Sequence, residues 1–314
     1  MTDVTITRRS ALLGAAAVPL AASALSATPA NAAADMKGVD NTPFARFKLG
    51  EFEVTTLLAG AAVREDPNSI FGLNVDAETF NKAAEDNFIP ADKARFFFTP
   101  TVVNTGSSLV LFDTGLPGDK PGVVSALEGA GYTTDQVDTV VLTHMHPDHI
   151  GGMMTGGSPT FANANYVIGR TEYDFWKGKD NRIGNMMEGM VVPIEDKATF
   201  IEPDGEVASG ITAVNAFGHT PGHMTYRIES GGQNLMLMAD TTNHYVFSLA
   251  YPDWEVTFDA DKAAAAATRR RLLSMLAAER MPFIGYHMPF PALGFVEARG
   301  EGFHYVPASY QLEM

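Results

Sequence analysis

The chain predicts a layered α/β protein, and three observations carry that expectation. Short apolar runs of strand length recur, helical patterns separate them, and turns rich in glycine and proline close them. Residues 47–58 alternate as a first strand or hairpin does, and Asp76 supplies a start signal for a helix over 76–85. Val102-Val103 and Leu109–Phe112 read as strands flanking the turn Asn104-Thr105-Gly106. A helix over Gly122–Gly129 then leads to a strand at 140–143. A second cycle follows, with a strand at 166–168, a helix near 171–177 and strands starting at Ile211, Thr225 and Leu235. A long helix at 263–278 and a final strand at Phe283 complete it.

Residues 1–32 read as an export signal rather than as part of the fold. Thr7-Arg8-Arg9-Ser10 precedes an alanine-rich apolar segment, and Ala30-Asn31-Ala32 offers a small-residue cleavage site. The paired arginines point to the twin-arginine route, although Ala11 stands where that route favours a large apolar residue, so Sec export stays open. A periplasmic or secreted location is expected. The segment is broken by Pro19 and falls short of the roughly 20 apolar residues of a membrane span, so no stable span should remain after cleavage. Residues 33–314 then suffice for a single large domain. With 0 cysteines, its stability cannot come from disulfides.

A formal net charge of −15 repels phosphate backbones and argues against a nucleic-acid partner. The one basic run, Arg269-Arg270-Arg271, falls inside a helical pattern, where it is expected to cap and solvate the helix. A small neutral or apolar substrate is the expected partner. A homodimer stays open.

The chemistry concentrates in His144-Met145-His146-Pro147-Asp148-His149, directly after the apolar run Val140-Val141-Leu142. Imidazole nitrogens and carboxylate oxygens are the ligands that zinc and its divalent neighbours prefer, and one ion needs only three or four of them. A strand ending near Thr143 would send His144 and His146 the same way, towards one ion. Pro147 breaks the extension, and the Gly151-Gly152 pair follows, so Asp148 and His149 are free to face a second ion. A second cluster, Phe217-Gly218-His219-Thr220-Pro221-Gly222-His223, follows another strand-like run. Two further strands end in a ligand type: Leu235-Met236-Leu237-Met238-Ala239 in Asp240, and Phe283-Ile284-Gly285-Tyr286 in His287.

Taken in order, these elements resemble the metallo-β-lactamase superfamily of binuclear metal hydrolases. Its signature is a His-x-His-x-Asp-His loop, a Gly-His-Thr-Pro-Gly loop, an Asp after a hydrophobic strand and a late His. Finer likenesses point to the exported methyl parathion hydrolase and lactonase group. They are Val102-Val103-Asn104-Thr105-Gly106, Leu111-Phe112-Asp113-Thr114-Gly115, Asp174-Phe175-Trp176 and Gly302-Phe303-His304-Tyr305-Val306-Pro307.

The resemblance implies a four-layer αββα sandwich, two βαβ-rich halves face to face with helices outside. It implies that His144, His146 and His219 hold one ion, that Asp148, His149 and His287 hold the other, and that Asp240 bridges them beside a shared hydroxide. The two divalent ions would be zinc foremost, with manganese, cobalt or iron as alternatives. Asp113 would prop the ligand loop, with an ordinary turn aspartate as the plainer reading, and His223 would orient a ligand, touch substrate or serve the structure. Trp176, Phe175, Phe96-Phe97-Phe98, Phe247 and Phe290 are candidates for cleft walls, with ordinary core packing as the alternative for each. The missing cysteine argues against antibiotic hydrolysis, and a retained His146 argues against the flavodiiron branch.

The expected reaction is hydrolysis, in which hydroxide opens a lactone or aryl ester and Asp148 or Asp240 relays a proton. Phosphotriester hydrolysis is the alternative. A glyoxalase-type thioesterase, a mononuclear-iron dioxygenase and a non-catalytic metal-binding module are weaker ones.

Overall fold

The computed structural model describes residues 42–308, so the expected export signal lies outside the described residues. Phe44–Leu49 (β1) and Phe52–Leu57 (β2) pair as an antiparallel hairpin. Gly60–Glu65 (β3) follows, then the helix Ala77–Asp86 (α1), whose cap Asp76 accepts from the Thr79 N–H, and Lys93–Phe98 (β4), which pairs with β3. Thr101–Asn104 (β5), Leu109–Phe112 (β6), the helix Gly122–Gly129 (α2) and Thr139–Leu142 (β7) come next. One helical turn, Pro147–Ile150 (α3), and the small ladder of Met154–Thr155 (β8) with Ser158–Pro159 (β9) precede Asn165–Gly169 (β10). The first half ends with the helices Arg170–Trp176 (α4) and Arg182–Met190 (α5) and the strand Ala198–Ile201 (β11).

The second half is Glu206–Ala208 (β12), Ile211–Asn215 (β13), Met224–Ser230 (β14), Gln233–Ala239 (β15), the helix Lys262–Glu279 (α6), Phe283–Gly285 (β16), Leu293–Arg299 (β17) and Gly302–Pro307 (β18). Each half builds one seven-stranded sheet, ordered β1-β2-β5-β6-β7-β10-β11 and β12-β13-β14-β15-β16-β17-β18. Strand Phe283–Gly285 is therefore not the last, as its sequence position suggested. Glycine at 300 turns the chain at positive φ between two further strands, whose charged ends had obscured them.

The period of two along the first sheet explains the layers. Val103, Val110, Phe112, Val141 and Val167 join a core with Tyr226, Ile228 and Leu237 of the second sheet, and the Phe112 and Tyr226 rings meet at 5.1 Å. Their neighbours Val102, Leu111, Val140 and Ile168 instead join Val123 and Leu127 of α2 and Tyr173 and Trp176 of α4. Each such buried side chain contributes about 1.5–3 kcal/mol, so a one-residue slip of register would expose a whole layer. Helix α6 packs along β17, and its Leu272, Leu273 and Leu276 join the same buried cluster, which takes in residues from both faces of the second sheet. The architecture is the expected α/β sandwich. A third cluster, which includes Phe71, Phe80, Phe96, Phe98, Phe247 and Trp254, seats α1 and the β3–β4 ladder against residues 246–256.

One expectation about charge fails. Arg269 does not solvate α6 but is buried, pairing with Asp259 at 2.8 Å and donating to the carbonyls of Thr241 and Pro252. Its two neighbours do reach outward, Arg270 to Asp253 and Arg271 to the Asn215 carbonyl.

Candidate metal centre

The candidate ligands lie just beyond the ends of four strands. His144, His146, Asp148 and His149 follow β7, His219 follows β13, Asp240 follows β15 and His287 follows β16. The strand alternation proposed for His144 and His146 is not what aligns them, because β7 ends at Leu142. His146 instead caps the single turn α3, with Pro147 at its first position. That turn brings Asp148 and His149 back towards the strand ends, with the His149 N–H bonded to the His146 carbonyl at 2.9 Å.

Two groups of donor atoms result, each within 4.8 Å of one another: His144, His146, His219 and Asp240 in one, Asp148, His149 and His287 in the other. Asp240 touches both. Its Oδ2 lies 3.4 Å from His219 Nε2 and 3.2 Å from His287 Nε2, and its Oδ1 lies 3.2 Å from His149 Nε2. The structure thus gathers all seven sequence candidates at one place.

Outer partners fix four of the five rings. Asp113 Oδ2 takes the His149 Nδ1 at 2.8 Å, Asp259 Oδ1 takes the His219 Nδ1 at 2.9 Å, the Phe97 carbonyl takes the His287 Nδ1 at 2.8 Å, and Thr143 Oγ1 lies 3.0 Å from the His144 Nδ1. In each case Nε2 is the nitrogen turned inward. His146 is the exception: its Nδ1 meets His219 Nε2 at 2.9 Å.

Whether these residues suit cations is answered by their orphaned atoms. His144 Nε2, His149 Nε2 and Asp240 Oδ1 are buried with no hydrogen-bond partner among the described residues. Leaving such atoms unpaired costs about 1–3 kcal/mol each, and together they form a convergent nitrogen and oxygen donor set of the kind that divalent ions take. The donor set fits. Burial, reinforced by neighbouring imidazoles, holds His144 and His146 well below the usual histidine range, which keeps lone pairs available. Burial acts the same way on His149, but Asp240, Asp113 and Asp148 overcome it and raise that ring well above its usual value. Asp240 is held well below the carboxylate range by His287 and His149, against the effect of burial.

Backbone and buried acids hold the loops in place. Asp113 and Ala239 adopt positive φ at 60° and 43°, conformations that non-glycine residues seldom take, immediately beside the ligand positions. Asp113 also accepts from the Thr143 N–H and hydroxyl, both at 2.9 Å, which ties the end of β6 to the ligand loop. His223 is buried, donates from Nδ1 to the Ala216 carbonyl and accepts the Asp240 N–H at Nε2, 3.2 Å away, so it braces Asp240.

Glu172 went unnoticed in the sequence. Its buried carboxylate accepts from the Met145 N–H, Trp176 Nε1, the Thr220 hydroxyl and the Gly222 N–H at 2.7–3.0 Å, clamping the two ligand loops together. Gly222 is required there, because a Cβ would lie 2.1 Å from the Glu172 nitrogen. The Asp259–Arg269 pair behind His219 was also missed. Glu172, Asp259 and Arg269 lie 23 or more residues from the ligands they support in the sequence, and no short motif marks them.

The donor groups open onto a cleft of about 320 Å³. His146, Asp148, Asp240 and His287 face it, and Phe96, Phe98, Leu116, Ile183 and Phe258 supply apolar walls. Of the aromatic wall candidates, only Phe96 and Phe98 line this cleft. Trp176 and Phe175 belong to the α4 core, where Trp176 serves Glu172, while Phe247 is buried under α1 and Phe97 and Phe290 line other cavities. Arg64 and Arg182 stand at the cleft, cations that the sequence reading did not place there.

Residues 99–282 match the family model for the metallo-beta-lactamase superfamily, more than half of the chain. The chain belongs to the metallo-β-lactamase superfamily. Among its curated relatives is an N-acyl homoserine lactonase of Bacillus thuringiensis, 30% identical over 116 residues, a stretch covering 37% of this chain and 42% of the relative. The chain thus spans less than half the length of that relative. Among solved structures, AidC, a dizinc quorum-quenching lactonase, superposes with a TM-score of 0.78 at 29% identity, covering 85% of this chain and 98% of that one. The hydrolase AbOPH superposes with a TM-score of 0.79 over 87% of this chain, and at 23% identity it speaks for the fold alone. Among the described residues no helix is long and apolar enough to cross a membrane.

Proposed function

We propose that this superfamily member is a two-ion hydrolase that opens lactones or aryl esters. The observation that carries the reading is the convergence of seven imidazole and carboxylate side chains around buried, unpartnered Nε2 and Oδ1 atoms. His144, His146 and His219 would hold one ion, Asp148, His149 and His287 the other, with Asp240 between them. Zinc is the first candidate, by the donor set and by AidC's description as a dizinc lactonase.

When bound, the ions would supply a water of pKa near about 7 as nucleophile, together with Lewis-acid polarisation of the carbonyl oxygen. The protein's own groups do the rest. Phe96, Phe98, Leu116 and Phe258 take the apolar part of a small substrate and keep water from it. Asp148, partly exposed at the cleft, accepts the nucleophile's proton and returns it to the leaving alkoxide, and Asp240 is the second carboxylate able to hold it. Asp113, Asp259 and the Phe97 carbonyl keep three rings aimed during that exchange.

The lactone preference draws on the names of AidC and the Bacillus thuringiensis relative. A phosphotriester with an aryl leaving group presents the same apolar face and a similarly polarised oxygen, and is the alternative substrate. The reading includes export of the chain, by the leader at 1–32, to the periplasm or beyond. The deciding experiment compares kcat/KM for an acyl-homoserine lactone, an aryl lactone, an aryl ester and methyl parathion on metal-quantified protein. Highest values for lactone or aryl ester support the reading. A clear preference for methyl parathion moves it to the triester alternative, and no turnover of any substrate removes it.

A further inference from the structure

Behind His287 lies a second cavity of about 390 Å³. Strand β4 divides the two spaces by its period of two: Phe96 and Phe98 face the metal-side cleft, whereas Lys93, Arg95 and Phe97 line the cavity. Val63 and Ile89 add apolar surface, and His244 and Tyr245 add polar side chains. Among the described residues no aspartate or glutamate lines it. Lys93 and Arg95 form no ion pair among the described residues, in a chain with 37 acidic against 22 basic side chains.

His244 shows what the cavity asks for. The ring is only 6% exposed, and its Nδ1 accepts the N–H groups of Val246 and Phe247 at 3.1 and 3.2 Å. With Nδ1 an acceptor, the proton must sit on Nε2. Among the described residues that Nε2–H has no hydrogen-bond partner, and His244 lines the cavity. Burial drives the ring's pKa down to about 3, so it stays a neutral donor across the physiological range. Two cations and one fixed N–H donor, set against an apolar wall, suit a singly charged carboxylate with a hydrocarbon tail.

We propose that this cavity is a binding site for an aliphatic carboxylate, its head on Arg95, Lys93 and the His244 Nε2–H and its tail along Val63, Ile89 and Phe97. His287 and Phe97, which are hydrogen-bonded to each other, form the wall shared with the candidate centre, so the acid lies next to that centre without entering it. The proposal stands on the cavity and does not depend on the reaction assigned to the neighbouring site.

Titration calorimetry with octanoate and with its neutral isostere octanamide tests it on the full chain, both ion-loaded and ion-stripped. Octanoate should bind both forms alike, and octanamide should bind at least about 10-fold more weakly, a loss typical of a charge-assisted contact. The double variant Lys93→Gln/Arg95→Gln, made at exposed positions, should lose the same factor for octanoate while ester turnover stays unchanged. His244→Phe, which keeps the ring packing against Phe71 and Phe247, should weaken octanoate and octanamide alike, because both head groups carry an oxygen that accepts the lost N–H. Three results overturn the proposal: no octanoate binding, binding that disappears when the ions are stripped, or equal affinity in the double variant and the parent.

Discussion

Asp240 Oδ1 lies 3.2 Å from His149 Nε2, and neither atom has a hydrogen-bond partner among the described residues. Two buried acceptors at that separation repel unless a proton or a cation lies between them. The other oxygen of the same carboxylate faces His219 and His287, so Asp240 is the residue through which both donor groups meet. Asp240→Ala should therefore reduce occupancy of both ions and lower ester or lactone turnover by more than about 100-fold, a larger effect than an outer-partner substitution has. Elemental analysis beside turnover checks it. Two retained ions in the variant would remove Asp240 from the bridging position.

Asp113 separates charge from conformation. Its φ of 60° is one that asparagine also tolerates, so Asp113→Asn preserves the backbone while removing the charge that holds the His149 Nδ1 proton. The second ion's affinity should fall by about 10–100-fold, with the first changed much less. Stepwise competition against a chelating dye resolves the two affinities. An equal loss at both would mean that Asp113 supports the loop as a whole.

Glu172→Gln should destabilise the fold by about 2–4 kcal/mol, because an amide nitrogen would then face a donor and leave at least one buried N–H unpaired. Denaturant unfolding measures it. Thr220→Val removes one donor and leaves three, so its cost should be smaller, about 1 kcal/mol.

The ion-stripped protein should be most stable near pH ~6.5, the ordinary histidine pKa. Burial holds His144 and His146 well below that value and takes His223 and His244 to about 3, so below pH ~6.5 the unfolded chain binds protons that the folded chain refuses, and stability falls with falling pH. His149 and His287 act in the opposite direction. Burial lowers both, but Asp240 and its neighbouring acids raise them overall, so their stabilisation is complete below pH ~6.5 and is lost as pH rises through their folded values. Ion binding would replace those two protons and flatten the alkaline side. Unfolding midpoints from pH 5 to about 9, with and without added zinc, test this, and an unchanged alkaline slope would contradict it.

Much of the site was legible because its donors are clustered in sequence: five of the seven fall within two short glycine- and proline-marked loops, and Asp240 and His287 each end an apolar run. Strands β6 and β7 were legible as unbroken apolar runs, since burial on both faces demands continuous apolar residues. What stayed hidden depends on contacts between distant segments. Nothing near Glu172 announces that it joins loops at 145 and 220–222, and Arg269 looked like part of a solvated basic run until its pairing with Asp259 was visible. The aromatic walls were unreadable individually, because Phe96 and Phe97 differ only in which side of β4 they occupy.

The two-ion reading meets its most direct test in metal content measured together with turnover on one preparation. The purified chain should carry two divalent ions, lose ester or lactone hydrolysis in step with their removal by chelator, and regain it when zinc is restored. A single bound iron accompanied by oxygen consumption, or hydrolysis that persists after both ions are gone, would contradict it.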